Sequence, residues 1–164
     1  MVNANSMSPL EQYWGLPWQM TNCEKLALEC LLRNYSPDIA LEVGTYHGGS
    51  LQVLSKFSKE VISIDIDEEV ESRLGEKFSN VVFYIGDSAT LIPTILEQSS
   101  LNGKNVEFVL IDGDHSASGV RRDIEALIQW QPLNRCIVLM HDSFNPACRE
   151  GIRTASWASS PYVH

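Results

Sequence analysis

Leu41-Glu42-Val43-Gly44-Thr45-Tyr46-His47-Gly48-Gly49-Ser50 follows directly on the apolar pair Ile39-Ala40. It reads as a short buried strand, a glycine-rich turn and the start of a helix. In an α/β sheet such a junction presents backbone N–H groups at a helix N-terminus to a ligand. The glycine spacing narrows what that ligand is. A dinucleotide fingerprint reads G-x-G-x-x-G, and Tyr46 stands where its second glycine belongs, blocking close approach of a pyrophosphate. A Walker loop ends in Gly-Lys-Ser/Thr, and Gly48-Gly49-Ser50 supplies no lysine to meet a phosphate. An acid on the strand, with Gly44 and Gly48 four apart, suits a nucleoside that carries an amine rather than phosphates. The expected ligand is S-adenosylmethionine.

On either side of this junction the chain alternates. Strand-like apolar runs fall at 39–43, 61–65, 81–85, 108–111 and 136–140, and helical stretches at 50–57, 68–78, 91–98 and 119–130. Thr21-Asn22-Cys23-Glu24 is a capping box that opens an earlier helix running to about residue 34. The strands are nearly continuous hydrophobic runs, as parallel strands covered on both faces read. The pattern predicts a doubly wound, mostly parallel α/β sheet of Rossmann-like type. Right-handed crossovers then bring every strand's C-terminal end to one edge. The residues collected there are Glu42 and Gly44, Asp65 and Asp67, Gly86-Asp87-Ser88, Asp112-Gly113-Asp114-His115, and His141-Asp142-Ser143. Every strand stops in an acid, which makes that edge an acidic, ligand-facing rim.

At 164 residues the chain fits one domain: a lead-in over 1–20 and an α/β domain over 21–164. A net charge of −9 with no basic run argues against nucleic acid or an acidic membrane as partner, and Arg121-Arg122 reads as solvated helix surface. The four cysteines show no C-x-x-C pairing, and Cys23 and Cys30 lie too far apart along one helix to bridge. Reduced thiols, a polar start over residues 1–9 and no run long enough to span a bilayer together predict a cytoplasmic protein.

Taken in order, Glu42-Val43-Gly44-Thr45-x-x-Gly48-Gly49-Ser50, the Asp65 strand end, Gly86-Asp87-Ser88 and Ile111-Asp112-Gly113-Asp114-His115-Ser116 resemble a class I S-adenosylmethionine-dependent methyltransferase. The group is similar to the cephalosporin hydroxylase-like and sugar or small-molecule O-methyltransferases, and Trp14-Gly15-x-Pro17-x-Gln19 resembles its lead-in. The cofactor set expected on this basis is Glu42, Gly44, Thr45, Tyr46, Gly48, Ser50, Asp65, Asp67, Asp87, Ser88 and Asp112. Asp65 would accept both ribose hydroxyls. Asp87 and Ser88 would accept from the adenine amino group or cap the next helix. The loop from Gly44 to Gly48 would pass beneath the methionine moiety, with Glu42 holding its ammonium or the loop's own N–H groups.

The resemblance also implies a magnesium ion shared by Asp112 and Asp142, with His115 as the base that takes the acceptor's proton. His141 stands where those relatives carry a carboxylate or carboxamide; as a third catalytic and metal residue it would shift the ion towards manganese or iron. Asn134-Arg135 replaces the relatives' glycine pair and changes only a turn. The relatives end in an antiparallel strand hairpin, whereas this sequence stops just after a helix at about 146–157. The fifth strand is therefore expected as an open edge that favours self-association. Tyr13, Trp14 and Trp18 form either a lid over the strand edge or an anchor on the first helix.

Two other functions fit parts of this pattern. Asp65-Ile66-Asp67 and Asp112-Gly113-Asp114 both spell the Asp-x-Asp of a metal-dependent glycosyltransferase, although no basic residue accompanies either pair. A non-catalytic cofactor-binding module is the third reading. The sequence does not name the small-molecule acceptor.

Overall fold

The computed structural model describes residues 15–163. Helix α1 (Asn22–Tyr35) opens on the capping box, with the Thr21 hydroxyl accepting from the Glu24 backbone N–H and the Glu24 carboxylate accepting from Thr21 N–H at 2.7 Å. The chain then alternates as β1 (Ile39–Val43), α2 (Gly49–Phe57), β2 (Glu60–Asp65), α3 (Val70–Leu74), β3 (Val81–Ile85), α4 (Ser88–Leu101), β4 (Val106–Ile111), α5 (Ala117–Leu127), β5 (Ile137–Met140) and α6 (Pro146–Thr154). The five strands form one sheet in the order β3-β2-β1-β4-β5, and every pairing is parallel. This is a doubly wound, Rossmann-like parallel sheet, and β1 is its buried centre.

Strand alternation divides the core into two layers. Ile39, Leu41, Val43, Ile62, Ile64, Val109 and Ile111 pack against α4, α5 and α6. Ala40, Val61, Phe108 and Leu110 face the other way, against Leu28 and Leu32 of α1, Leu51 and Leu54 of α2, and Val70 and Leu74 of α3. Among the described residues no helix is long and apolar enough to cross a membrane. All four cysteines carry free thiols.

Most elements depart by a residue or more from the boundaries expected from sequence, α3, α4 and α6 among them. The stretch 68–78 is not one helix: α3 ends at Leu74 and a 3₁₀ turn covers Gly75–Lys77, where a glycine weakens continued α-helix. Helix α4 begins three residues early, at Ser88, because Asp87 takes extended backbone angles and its carbonyl accepts from Leu91 N–H. The final helix stops at Thr154, with a separate 3₁₀ turn at Trp157–Ser159.

The sheet's hydrogen-bonding continues one step past the strands. Gly44 N–H donates to Ile64 O, Gly86 to Asp65 O, Asp112 to Val43 O and His141 to Ile111 O, at 2.8–3.0 Å. That ladder holds Gly44, Asp65, Gly86, Asp112 and His141 in a row along one edge. Between β1 and β4 the strand order reverses, which opens a crevice over this row.

Candidate active site

A cleft of about 530 Å³ occupies the crevice, lined by strand-end residues from all five strands, by Pro17–Met20 of the lead-in, and by Gly119, Arg122 and Asp123 of α5. Seven aspartates line it (Asp65, Asp67, Asp87, Asp112, Asp114, Asp123 and Asp142) against one arginine. That donor set repels a phosphate and suits a ligand carrying positive charge and hydroxyl donors.

On the β2 and β3 side, Asp65 is already engaged. Its Oδ2 accepts from Thr45 and Tyr46 N–H at 2.8 and 2.9 Å, and its Oδ1 from Asp67 N–H at 2.9 Å. A carboxylate has about four lone-pair directions, so with Oδ2 taken twice and Oδ1 once, capacity remains on Oδ1 for one ribose hydroxyl rather than the two expected. The same bonds pin the glycine turn. Asp67 pairs with Arg73 at 2.7 Å, and Arg73 also donates to Tyr46 O; the backbone N–H of Glu69, then this arginine, hold the Asp67 carboxyl below its usual range. Asp87 does not cap α4 with its side chain. Its Oδ2 instead accepts from Arg122 at 2.6 Å and from the Thr90 hydroxyl at 3.0 Å.

Two residues expected at the cofactor lie elsewhere. Glu42 has no exposed surface and is absent from the cleft lining; its Oε1 accepts from Ser50 Oγ, and its Oε2 has no partner. It touches the cleft only through Ser50. Gly48 also sits behind the wall, with a left-handed φ of 81° and no room beside Leu16 and Leu74. Gly44 does line the cleft, but its absent side chain serves the protein itself: a Cβ there would stand 2.3 Å from the Asp112 carbonyl oxygen. Thr45 contributes backbone, since its hydroxyl is buried against Ser63. Tyr46 and Ser50 line the cleft as expected.

On the β4 and β5 side, Asp112, His115 and Asp142 converge, each offering a ligand atom within 4.8 Å of the others. His115 Nε2 lies 3.3 Å from Asp142 Oδ2 and 3.5 Å from Asp112 Oδ1, and its side chain is 46% exposed. His141 is not in this group. Its Nδ1 faces Asp112 Oδ1 at 2.9 Å, while its buried Nε2 points towards Glu24 Oε1, 3.6 Å away on α1. The hydrogen bond to Asp112, with the nearby charges of Asp112, Asp142 and Glu24, raises the His141 pKa against the opposing effect of burial. His115 thus lies with the two acids that suit a divalent cation, and His141, expected among the metal residues, instead hydrogen-bonds one of them. The α5 N-cap is Ser116, which accepts from Gly119 N–H at 3.0 Å, so His115 is not spent on capping.

Neither Asp-x-Asp pair presents two open carboxylates. Asp67 is tied to Arg73, and Asp114 accepts from the backbone and hydroxyl of Ser116, which hold its carboxyl below the usual range. That geometry disfavours the glycosyltransferase reading. Of the lead-in aromatics, Trp18 lines the cleft, and Tyr13 and Trp14 lie outside the described residues.

Sequence reasoning missed Asp123. It is 3% exposed, burial raises its pKa, and it accepts from Ser88 Oγ at 2.5 Å. A signal existed: Asp123 falls on the same helical face as Val120, Ile124 and Leu127, where an acid interrupts an otherwise apolar stripe.

Residues 41–143 match a family model described as a methyltransferase domain. No curated protein sequence matches the chain. Among solved structures, it is similar to the MycE methyltransferase of the mycinamycin biosynthetic pathway, in complex with Mg, SAH and mycinamycin VI. Identity is 19% and the TM-score 0.54, over 68% of this chain and 32% of that one. It is also similar to a dimethyladenosine transferase from Plasmodium falciparum, at 21% identity and a TM-score of 0.51, over 76% of this chain and 44% of that one. The chain thus spans about a third of the first and under half of the second. At these identities the likeness is one of fold.

Proposed function

The chain belongs to the methyltransferase-domain family, and from that premise we propose that it transfers a methyl group from S-adenosylmethionine to a hydroxyl of a small molecule such as a sugar or natural product. The observation that carries this reading is the convergence of Asp112, His115 and Asp142 at one end of a cleft whose other end is lined by Asp65, Asp87 and Ser88. S-adenosylmethionine, when bound, supplies a methyl group on a positively charged sulfur. Asp65 receives a ribose hydroxyl at Oδ1 and Asp87 and Ser88 the adenine edge, while the acid-rich walls favour the cationic ligand. Asp112 and Asp142 would hold a divalent cation, which would supply a Lewis acid that makes the acceptor hydroxyl easier to deprotonate. His115, exposed on the cleft, takes the hydroxyl proton at Nε2. His141 holds Asp112 in place through its Nδ1.

Calorimetric titration with S-adenosylhomocysteine and with UDP-sugars, each with and without magnesium, tests the ligand. Tight binding of the first alone is expected, and selective UDP-sugar binding would overturn the reading. With labelled S-adenosylmethionine and a panel of hydroxylated acceptors, His115→Ala should lower turnover by about 10²–10⁴-fold and leave S-adenosylhomocysteine affinity unchanged. Binding without transfer to any acceptor would favour the non-catalytic module.

A further inference from the structure

Asp123 has no part in the chemistry above, yet it is a buried acid lining the cleft, and its hydrogen bond goes to a residue at the nucleoside end. Ser88 is the first residue of α4 and lines the cleft beside Gly86 and Asp87. Ile66, 77% exposed, also lines the cleft and offers an apolar surface for a flat ring with polar edges. A serine hydroxyl has one proton to give and two lone pairs to receive with. A carboxylate only accepts, so the 2.5 Å bond from Ser88 Oγ to Asp123 Oδ1 consumes the serine's single proton. What Ser88 then shows the cleft is lone pairs alone. Asp87 beside it is an acceptor too, and the Arg122 guanidinium is drawn onto its Oδ2.

We propose that Asp123 is a positioning residue that fixes Ser88 as a hydrogen-bond acceptor and thereby selects a 6-aminopurine over a 6-oxopurine. The inference rests on the nucleoside placement proposed above. An amino group at position 6 donates to Ser88; an oxo group at that position meets lone pairs with lone pairs and leaves a buried polar contact unmade. Replacing the acid by an amide gives Ser88 a neighbour able to donate as well as accept, so the serine proton is no longer committed to it and is free to turn towards the ligand.

The test is the ratio of affinities for S-adenosylhomocysteine and S-inosylhomocysteine, measured by calorimetry on the full chain. The wild type should prefer the adenosyl compound, and Asp123→Asn and Ser88→Ala should each cut that preference by about tenfold or more. Asp123→Asn added to Ser88→Ala should change the ratio no further, because the acid acts through the serine. A purely structural tie between α4 and α5 would weaken both ligands alike and leave the ratio standing, and that result overturns the proposal. If Asp123→Asn does not fold, Ser88→Ala alone decides: an unchanged ratio overturns it. A wild type that binds neither compound overturns the nucleoside placement itself, whereas adenosyl binding with an unaltered ratio in both variants overturns this inference only.

Discussion

Glu42 sits wholly out of solvent beneath the glycine turn, and burial pushes its carboxyl pKa up to about 8 against the lowering effect of hydrogen bonds from Ser50 and Thr45. It is therefore neutral at pH 7 in the folded chain, while an unfolded chain ionises it near the ordinary value of 4.5. Folding takes up a proton between those two values. This residue's contribution to stability is full below about 4.5, erodes as pH rises, and is lost above about 8. Glu42→Gln keeps the shape and removes the titration. The variant's melting temperature should gain on the wild type steadily from pH 5 to 8 and run parallel above that, as scanning calorimetry would show. A constant gap across the range would mean that Glu42 is ionised in place. Nothing in Leu41-Glu42-Val43 distinguishes an acid on the ligand side from one turned into the α2 layer; that depends on strand phase, which the helices on both faces hide. The orientation of the two histidine rings was hidden for a related reason. Strand-end position was legible for both, but which way each ring turns depends on Glu24, a contact across more than a hundred residues.

At the scale of elements, the turn from β1 into α2 does two jobs with its glycines. Gly49 opens α2, and a Cβ there would stand 2.6 Å from the Pro17 carbonyl oxygen and 2.9 Å from Trp18 Cα. Its bareness lets the lead-in lie across the helix start and reach the cleft. Alanine is the better helix former by up to about 1 kcal/mol, so Gly49→Ala should leave α2 intact while displacing Pro17-Trp18. The expected result is a red shift in tryptophan emission with little change in far-ultraviolet dichroism, and no such shift in a Trp18→Phe background. An unmoved spectrum would show that the lead-in absorbs the methyl group without leaving the cleft. Strands were easy to place from sequence because each is an apolar run closed by an acid, and 39–43 and 81–85 match to the residue. Helix starts were harder. Ser88-Ala89-Thr90 looks polar and loop-like, and only the extended backbone at Asp87 makes it the first turn of α4.

For the molecule as a whole, the strand order makes its own prediction. Strand β1 is paired on both sides and all five of its residues are buried, whereas β3 and β5 are each paired on one side among the described residues. Amide hydrogen exchange should therefore be slowest in β1, with β2 and β4 next, and fastest in β3 and β5. Equal protection of β5 and β1 would require something to cover the outer edge of β5. Alternation alone was enough to read the sheet class and the single ligand edge, because crossover handedness leaves few alternatives, while the pairing of Asp112 with Asp142 came from the family resemblance. The buried acid on α5 and the crossing of the lead-in over α2 are tertiary meetings that no local pattern encodes. The reversal of order between β1 and β4 has one more consequence. On the function proposed above, donor recognition would fall to β2 and β3 and acceptor chemistry to β4 and β5, with the β1 turn as the line between two trades. A lineage can therefore retool one bench for a new customer while the other keeps its settings, provided the shared wall at Gly44 and Asp112 stays where it is.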